Sequence, residues 1–232
     1  MYMPIRSMVD ELLRINVGRS NAYLVRSGST VMLVDTGPAS SRDALMRALD
    51  GLNRIDLVVV THAHEDHVGN LAHVAQRFGA KVVVHHDDAH YLRQGFAPFP
   101  RGTRLITRIL SRIGNALMKS RGRFDPVDPS IVVNAPYDLL SHGVRGALFH
   151  TPGHTDGSMT VVLEGGDCIV GDTLFNMRIF SPYPPFANDE GALRESIRSL
   201  AVRGCTTFHP GHGPPLGIDD VRSLISTHIF AG

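Results

Sequence analysis

The sequence predicts a fold of mixed strands and helices, and two observations carry that prediction. Between residues 30 and 85, β-branched runs alternate with amphipathic runs, which is typical of βαβ units on a sheet covered by helices. Short strands and further helices then return after residue 131. The pattern therefore favours two β/α halves that face each other, although the two halves show no recognisable sequence repeat.

Composition sets the broad class of the protein. The chain has 232 residues, of which 43% are hydrophobic and 19% charged, as in an ordinary globular protein. A net charge of +1 gives no general attraction to nucleic acid. No run approaches the roughly 18 apolar residues of a membrane-spanning helix, and the N-terminal segment lacks an apolar signal core. We therefore expect a cytoplasmic protein without a transmembrane segment.

The chain has two cysteines, Cys168 and Cys205, and each lies in an apolar, strand-like run. Isolated cysteines in such runs are more often buried thiols than partners in a bond. We expect two thiols here, and a disulfide between them stays open.

Local patterns predict the individual elements. Strands are expected where β-branched runs end at turn residues, at 21–26, 30–34, 57–60, 81–85, 131–133, 146–150, 159–163, 168–170 and 206–208. Helices are expected where apolar residues recur at helical spacing, at 41–49, 68–78, 190–202 and 219–230. Ser40 or Ser41 is the expected cap of the first helix, and Gly79 ends the second.

Residues 89–124 interrupt this order. The segment contains no acidic residue and eight basic ones, namely Arg93, Arg101, Arg104, Arg108, Arg112, Lys119, Arg121 and Arg123. Its apolar residues occupy another face, which predicts an amphipathic helix with a cationic side. Four roles stay open: a lid or pocket wall, a dimer interface, a membrane-surface helix, and a plain surface helix.

A polar cluster follows the apolar run at 57–60. His62 and His64 are two residues apart, so on extended backbone they point the same way. Asp66 and His67 follow where the chain turns into a helix and can face a second point. Three imidazoles and a carboxylate at this spacing are typical metal ligands. The alternative to a metal site is a solvated, His-rich turn. The buried strand that leads into the turn argues against that alternative.

The motif His-x-His-x-Asp-His after a hydrophobic strand resembles the signature of the metallo-β-lactamase superfamily of metal-dependent hydrolases. Three later strand ends present His154, Asp172 and His212, each beside glycine, and Asp35 ends an earlier strand. These motifs occur in the superfamily's order. The resemblance implies one α+β domain, a four-layer αβ/βα sandwich over residues 1–232 with a helical insert near 89–124 and metal ions at one edge.

The resemblance also implies the ligands of two divalent metal ions, with a carboxylate shared between them. His62, His64 and His154 would bind the first ion, Asp66, His67 and His212 the second, and Asp172 both. Zinc suits this ligand set best, and iron or manganese is also tolerated. Asp66 and Asp172 are the expected catalytic residues, and Asp66 would orient the nucleophile or pass a proton. Asp35 is expected to accept hydrogen bonds from a ligand histidine or from the metal turn.

The implied activity is hydrolysis of a small ester, thioester or lactone by a hydroxide that bridges the two ions. A phosphodiesterase or nuclease of the same fold is the alternative. A small-molecule substrate is the expected partner, without nucleic acid, and a homodimer through the insert is one reading of residues 89–124.

Segments 171–175 and 210–214 look like the glyoxalase II and small-hydrolase branch, which cleaves thioesters. Two features differ from glyoxalase II: only 20 residues follow His212, and the Gly-Arg-x-Asp segment is missing after Phe175. The acyl-homoserine lactonases carry a tyrosine where Phe175 stands, and Tyr183 is a candidate substitute as oxyanion donor. His85, His86 and His90 match no ligand of the family and are expected on the polar surface.

Overall fold

A computed structural model describes residues 10–103, 107, 109, 122–134, 136–177 and 181–229. Its first sheet has six strands, in the spatial order of the sequence. They are β1 (Glu11–Val17), β2 (Ser20–Ser27), β3 (Thr30–Val34), β4 (Leu57–Val59), β5 (Lys81–His85) and β6 (Ile131–Val133). The first three strands pair antiparallel, and β3 to β6 pair parallel.

The second sheet also has six strands, in the order β12-β11-β10-β9-β8-β7. They are β7 (Tyr137–Asp138), β8 (Gly146–His150), β9 (Met159–Leu163), β10 (Asp167–Phe175), β11 (Thr207–His212) and β12 (Leu216–Gly217). Only the β10–β11 pair of these described strands is parallel.

Six α-helices with described residues flank the sheets. They are α1 (Arg42–Ala48), α2 (Glu65–Val68), α3 (Leu71–Phe78), α4 (His86–Gln94), α5 (Glu190–Ala201) and α6 (Ile218–Leu224), and a short π-helix (Ile225–Ile229) continues α6. No helix in these ranges is long and apolar enough to cross a bilayer.

Side-chain alternation along the strands builds the layers. Leu57 and Val59 of β4 pack between the two sheets, together with Val161 of β9. Val58, which points the opposite way, packs with Val74 of α3 on the outer face. A third cluster lies between the second sheet and helices α5 and α6. The observed order of layers is helix, sheet, sheet, helix, which confirms the predicted αβ/βα sandwich.

Two predicted details of the helices are wrong. The single helix expected at 68–78 is two helices, because the chain bends at Gly69 and Asn70. The Asn70 amide donates to the carbonyl oxygens of Thr36 (3.0 Å) and Pro38 (2.8 Å), so the bend ties α3 to the end of β3. Ser41 precedes α1 but makes no side-chain capping hydrogen bond.

Several elements were not predicted from the sequence, among them the short strands β7 and β12, the strand β1 and the helix α4. β1 has only two buried side chains, Ile15 and Val17, and therefore lacks the apolar run of an interior strand. α4 begins in the polar run His86-Asp87-Asp88, where the imidazole of His85 accepts a hydrogen bond from the backbone N–H of Asp87.

The expectation of two buried thiols is also wrong. Cys168 of β10 and Cys205, just before β11, are joined by a disulfide with Cα atoms 5.8 Å apart. The two positions are 37 residues apart in sequence. They become neighbours only because β10 and β11 pair in parallel, which no local pattern reveals.

Most of the cationic helix expected within 89–124 lies outside the described residues. The described flanks of the segment run side by side, since Ala97 N donates to Gly122 O at 3.0 Å and Phe124 N to Gly95 O at 3.0 Å. Farther along, Ala187 N donates to Arg101 O at 2.7 Å. Residues 95–97 therefore lie beside residues 122–124.

Candidate metal centre

The seven predicted ligands meet at one edge of the sandwich, where several strands end. Their donor atoms form overlapping groups, and within each group the atoms lie within 4.8 Å of one another. We call His62, His64 and His154 the first ligand group, and Asp66, His67 and His212 the second. Asp172 forms a further group with His62 and His67, which belong to the first and the second ligand groups.

Asp172 lies at the middle of the cluster. Its Oδ2 atom is 3.4 Å from Nε2 of both His154 and His212 and 3.9 Å from Nε2 of His62. Its Oδ1 atom is 3.3 Å from Nε2 of His67. One buried carboxylate therefore faces imidazoles of both ligand groups.

Backbone carbonyls hold two of the imidazoles from behind. Nδ1 of His154 donates to the carbonyl oxygen of Phe186 at 3.0 Å, and Nδ1 of His212 to that of Arg19 at 2.5 Å. Donation from Nδ1 leaves the Nε2 lone pair directed at the cluster. Such hydrogen bonds fix the tautomer and the ring orientation of metal-binding histidines.

Asp35 holds the start of the metal turn and one imidazole. Its carboxylate accepts hydrogen bonds from Thr61 N (2.8 Å), Thr61 Oγ1 (2.7 Å) and Nδ1 of His67 (2.8 Å). Its backbone has φ of 58°, which is unusual for a residue other than glycine. The contacts agree with the expected role of Asp35 in supporting the metal turn.

Three buried polar atoms in the cluster lack a hydrogen bond of acceptable geometry among the described residues. They are Nε2 of His62, Nε2 of His67 and Oδ1 of Asp172. Leaving such atoms unsatisfied in a protein interior costs about 1–3 kcal/mol each. The two Nε2 atoms lie 3.9 Å and 3.3 Å from the Asp172 carboxylate, and a cation bound between these groups would satisfy all three atoms. The donor set therefore fits a metal ion.

The electrostatics of the cluster favour cation binding. Burial lowers the pKa of His62 well below its usual range and lowers the pKa of His64 to about 3, so both rings are neutral and keep a lone pair. Burial alone would raise the pKa of Asp172, but the neighbouring His212 and His67 hold it well below its usual range. Asp172 is therefore an ionised carboxylate inside the protein.

Tyr183, the candidate oxyanion donor, has partners outside the seven potential ligands. Its ring packs against the third hydrophobic cluster, and its hydroxyl interacts with Arg194. Phe175, which stands where the lactonases have tyrosine, stacks on the ring of His212 with centroids 4.7 Å apart. The position beside the second ligand group is therefore apolar.

His85 is buried, so its expected place on the polar surface is wrong, whereas His86 and His90 are exposed. Nitrogen atoms of His85 and His150 and a carboxylate oxygen of Asp87 also lie within 4.8 Å of one another. The two rings stack 3.9 Å apart and only 11° from parallel. The lone pair of each ring nitrogen lies in its own ring plane, and because these planes are stacked and nearly parallel, the two lone pairs do not converge on one ion.

Some supporting groups carry no signal in the sequence. The carbonyls of Arg19 and Phe186 belong to the backbone, and their role depends only on where the chain passes. Asp88 is fully buried beside the metal turn, yet in the sequence it is one of two adjacent aspartates at the start of α4.

Comparison with known proteins agrees with the fold and the motifs. A model of the metallo-β-lactamase superfamily matches residues 15–212. A probable metallo-hydrolase of Methanocaldococcus jannaschii is 28% identical over 200 residues, which cover 84% of this chain and 87% of that protein. A hydroxyacylglutathione hydrolase of Acidiphilium cryptum is 28% identical over 166 residues, 70% of this chain and 54% of that protein.

Among solved structures, a metallo-β-lactamase superfamily protein of Sulfolobus tokodaii has the same fold. It superposes with a TM-score of 0.71 at 21% identity, covering 95% of this chain and 87% of the other. The match of the family model over most of the chain shows that this protein belongs to the metallo-β-lactamase superfamily.

Proposed function

We propose that the protein is a dinuclear metal-dependent hydrolase of small esters, thioesters or lactones. One observation carries the proposal: the unsatisfied atoms of His62, His67 and Asp172 face one another inside a cluster of seven potential ligands. Membership of a superfamily that contains metallo-hydrolases supports hydrolysis as the reaction class.

The two ligand groups would each hold one divalent ion, and Asp172 would bind both. Imidazole and carboxylate ligands suit zinc, and also iron or manganese. Bound in pairs, such ions supply a hydroxide that is nucleophilic at neutral pH and polarise the substrate's carbonyl group.

Asp66 is the residue best placed to handle a proton. Its Oδ2 atom is 3.5 Å from Nε2 of His212, and its side chain keeps 29% of its surface exposed. A carboxylate that touches both the ligand cluster and solvent can orient a nucleophile and pass its proton outward. We therefore assign Asp66 and Asp172 as the catalytic carboxylates.

An apolar wall beside the cluster supports an acyl substrate. Phe186, whose carbonyl anchors His154, packs edge-on against Phe99 with ring centroids 4.8 Å apart. Phe99 is 48% exposed, so its ring is open to a ligand. A relative that is named a hydroxyacylglutathione hydrolase supports the same substrate class.

The remaining predictions concern the insert and the compartment. Within residues 89–124, Arg101 and Gly102 pair with residues 186–187, which supports the role of lid or pocket wall over that of a dimer interface. The cytoplasmic location stays a prediction, and the disulfide is more typical of an oxidising compartment.

Two measurements test the proposal. Elemental analysis of protein purified without chelator should find about two divalent ions per chain. An activity panel of acyl thioesters, lactones, β-lactams and phosphodiesters should show hydrolysis of an acyl compound that chelation abolishes. Selective cleavage of a phosphodiester would favour the alternative reaction, and folded protein that takes up no metal on titration would contradict both.

A further inference from the structure

A fully buried carboxylate joins two loops at the metal edge. Asp88, in the first turn of α4, accepts hydrogen bonds through Oδ2 from Ala63 N (2.9 Å) and Thr155 Oγ1 (3.0 Å). Its Oδ1 atom accepts from Gly157 N (3.1 Å). Ala63 follows a strand of the first sheet, whereas Thr155 and Gly157 connect two strands of the second. Asp88 therefore links the two halves of the sandwich.

Both loops carry members of the first ligand group. Ala63 lies between His62 and His64, and Thr155 directly follows His154. Nδ1 of His64 is 3.0 Å from Nε2 of His154. Because Asp88 fixes Ala63 and Thr155 relative to each other, it also fixes the separation of these imidazoles.

The loop of the second sheet is shaped around this carboxylate. A Cβ atom on residue 157 would lie 2.6 Å from the carboxyl carbon of Asp88, so only glycine fits there. Within the loop, Thr155 N donates to Ser158 Oγ at 3.0 Å, which holds the threonine hydroxyl near Asp88.

Asp35 makes a comparable set of contacts on the other side of the cluster. Its direct imidazole contact is with His67, a member of the second ligand group, whereas Asp88 contacts the loops of the first. Asp88 thus contacts loops of the first ligand group, whereas Asp35 contacts His67 of the second group and Thr61, which precedes His62 of the first.

We propose that Asp88 is a positioning residue that holds the first ligand group ready for its metal ion. The proposal rests on the dinuclear function proposed above. Aligning His64 and His154 in advance reduces the ordering that metal binding must bring about, and such supporting contacts typically change metal affinity about 10–100-fold.

The direct test is Asp88→Asn, with zinc affinity and stoichiometry measured on metal-free protein by titration calorimetry. Carboxylate oxygens accept all three hydrogen bonds of Asp88, but an amide presents one oxygen and one NH₂ group. In either orientation the NH₂ group faces a backbone N–H, of Ala63 or of Gly157. We expect one of two zinc sites to weaken about 10–100-fold while the other keeps its affinity.

Double variants identify which site is weakened. In the double variant Asp88→Asn/His154→Ala both changes affect the first ligand group, so the zinc ion of the second group should stay bound. In the double variant Asp88→Asn/His212→Ala each ligand group carries one change, so both zinc sites should be weakened or lost.

Two further variants test the contacts of Asp88 without removing its carboxylate. Thr155→Val removes one donor with little change in shape and should weaken the same site to a smaller extent. Gly157→Ala pushes the loop away from Asp88 and should reproduce the effect of Asp88→Asn.

The matched control is Asp56→Asn. Asp56 also accepts a backbone hydrogen bond, from Val31 N at 2.8 Å, but it precedes β4 and lies at the end of that strand away from the metal turn. This variant should bind two zinc ions with unchanged affinity.

The outcomes separate the two proposals. If the unmodified protein binds no zinc, iron or manganese, the proposed function fails. If it binds two ions and both Asp88→Asn and Gly157→Ala keep both affinities, only the role of Asp88 is overturned. Equal weakening of both sites in Asp88→Asn, together with a lowered melting temperature of the metal-free form, would show a general structural role and also overturn the proposal.

Discussion

The backbone of Gly211 passes so close to Asp172 that a Cβ atom on residue 211 would lie 2.2 Å from Oδ1 of that aspartate. The same atom would lie 2.7 Å from Cε1 of His67. Both neighbours are buried and belong to the ligand cluster, so neither can move aside without changing the metal centre. Glycine at this position is therefore a requirement of the centre itself.

Gly211→Ala should consequently lower metal affinity by at least about 10-fold, the lower end of the range for changes next to metal ligands. Zinc titration of metal-free protein measures the effect. Gly217→Ala is the control, because the nearest atom to its added Cβ is 3.6 Å away and its φ of −83° suits any residue. Unchanged zinc affinity in Gly211→Ala would mean that the ligands are arranged differently.

Asp172→Ala should damage activity more than Asp35→Ala. Asp172 faces imidazoles of both ligand groups, whereas Asp35 supports the metal turn and His67 from behind. The loss for Asp35→Ala should be about 10–100-fold in kcat/KM, and the loss for Asp172→Ala should exceed it. If Asp35→Ala proved the less active of the two while still holding its metal ions, the assigned roles would be wrong.

Phe99→Ala should raise KM for substrates with long acyl chains and leave kcat nearly unchanged. Phe99 extends the apolar wall beside Phe186, whose backbone carbonyl anchors His154. An aromatic contact of this kind contributes about 1 kcal/mol, which corresponds to a KM change of roughly five-fold. KM for short acyl chains should change less.

The control for this wall is Leu140→Ala, since Leu140 is also exposed (59%) but lies in the turn between β7 and β8. Equal KM shifts for short and long chains in Phe99→Ala would argue against an acyl-binding wall.

The sequence predicts those parts of the fold that depend on local residue patterns. The run at 57–60 and the motif that begins at His62 identify a buried strand and its metal turn, because alternation and ligand spacing are local. β1 was missed because Arg14 and Asn16 interrupt its apolar residues, and α4 was missed because most of its side chains are polar. Pairing or packing with distant segments stabilises both elements. Asp88 was missed for the same reason, since its partners are 25 to 69 residues away.

The disulfide between Cys168 and Cys205 should contribute a large share of the stability. A bond that closes a loop of 37 residues reduces the entropy of the unfolded chain, and the loop-closure relation gives about 4 kcal/mol at 25 °C. Unfolding in urea with and without a phosphine reductant measures this free energy. The double variant Cys168→Ala/Cys205→Ala should resemble the reduced protein.

Reduction of the disulfide should lower the stability without lowering the metal content. Both cysteines pack in the cluster between the second sheet and helices α5 and α6, and Cys168 lies near the start of β10, whereas Asp172 lies nearer its end. Reduced protein should therefore keep its metal ions until it unfolds. Loss of metal on reduction at a urea concentration where the fold persists would contradict this separation.

Thiol counting also tests the predicted compartment. Cytoplasmic proteins rarely keep disulfides, because glutathione and thioredoxin reduce them. Alkylation during cell lysis, followed by mass spectrometry of the denatured chain, should find Cys168 and Cys205 unmodified and still joined. If both thiols are alkylated, the bond does not exist in the cell, and the cytoplasmic prediction gains support. A bond that is present at lysis would instead favour an oxidising compartment, because only there does such a pair persist without continuous reduction.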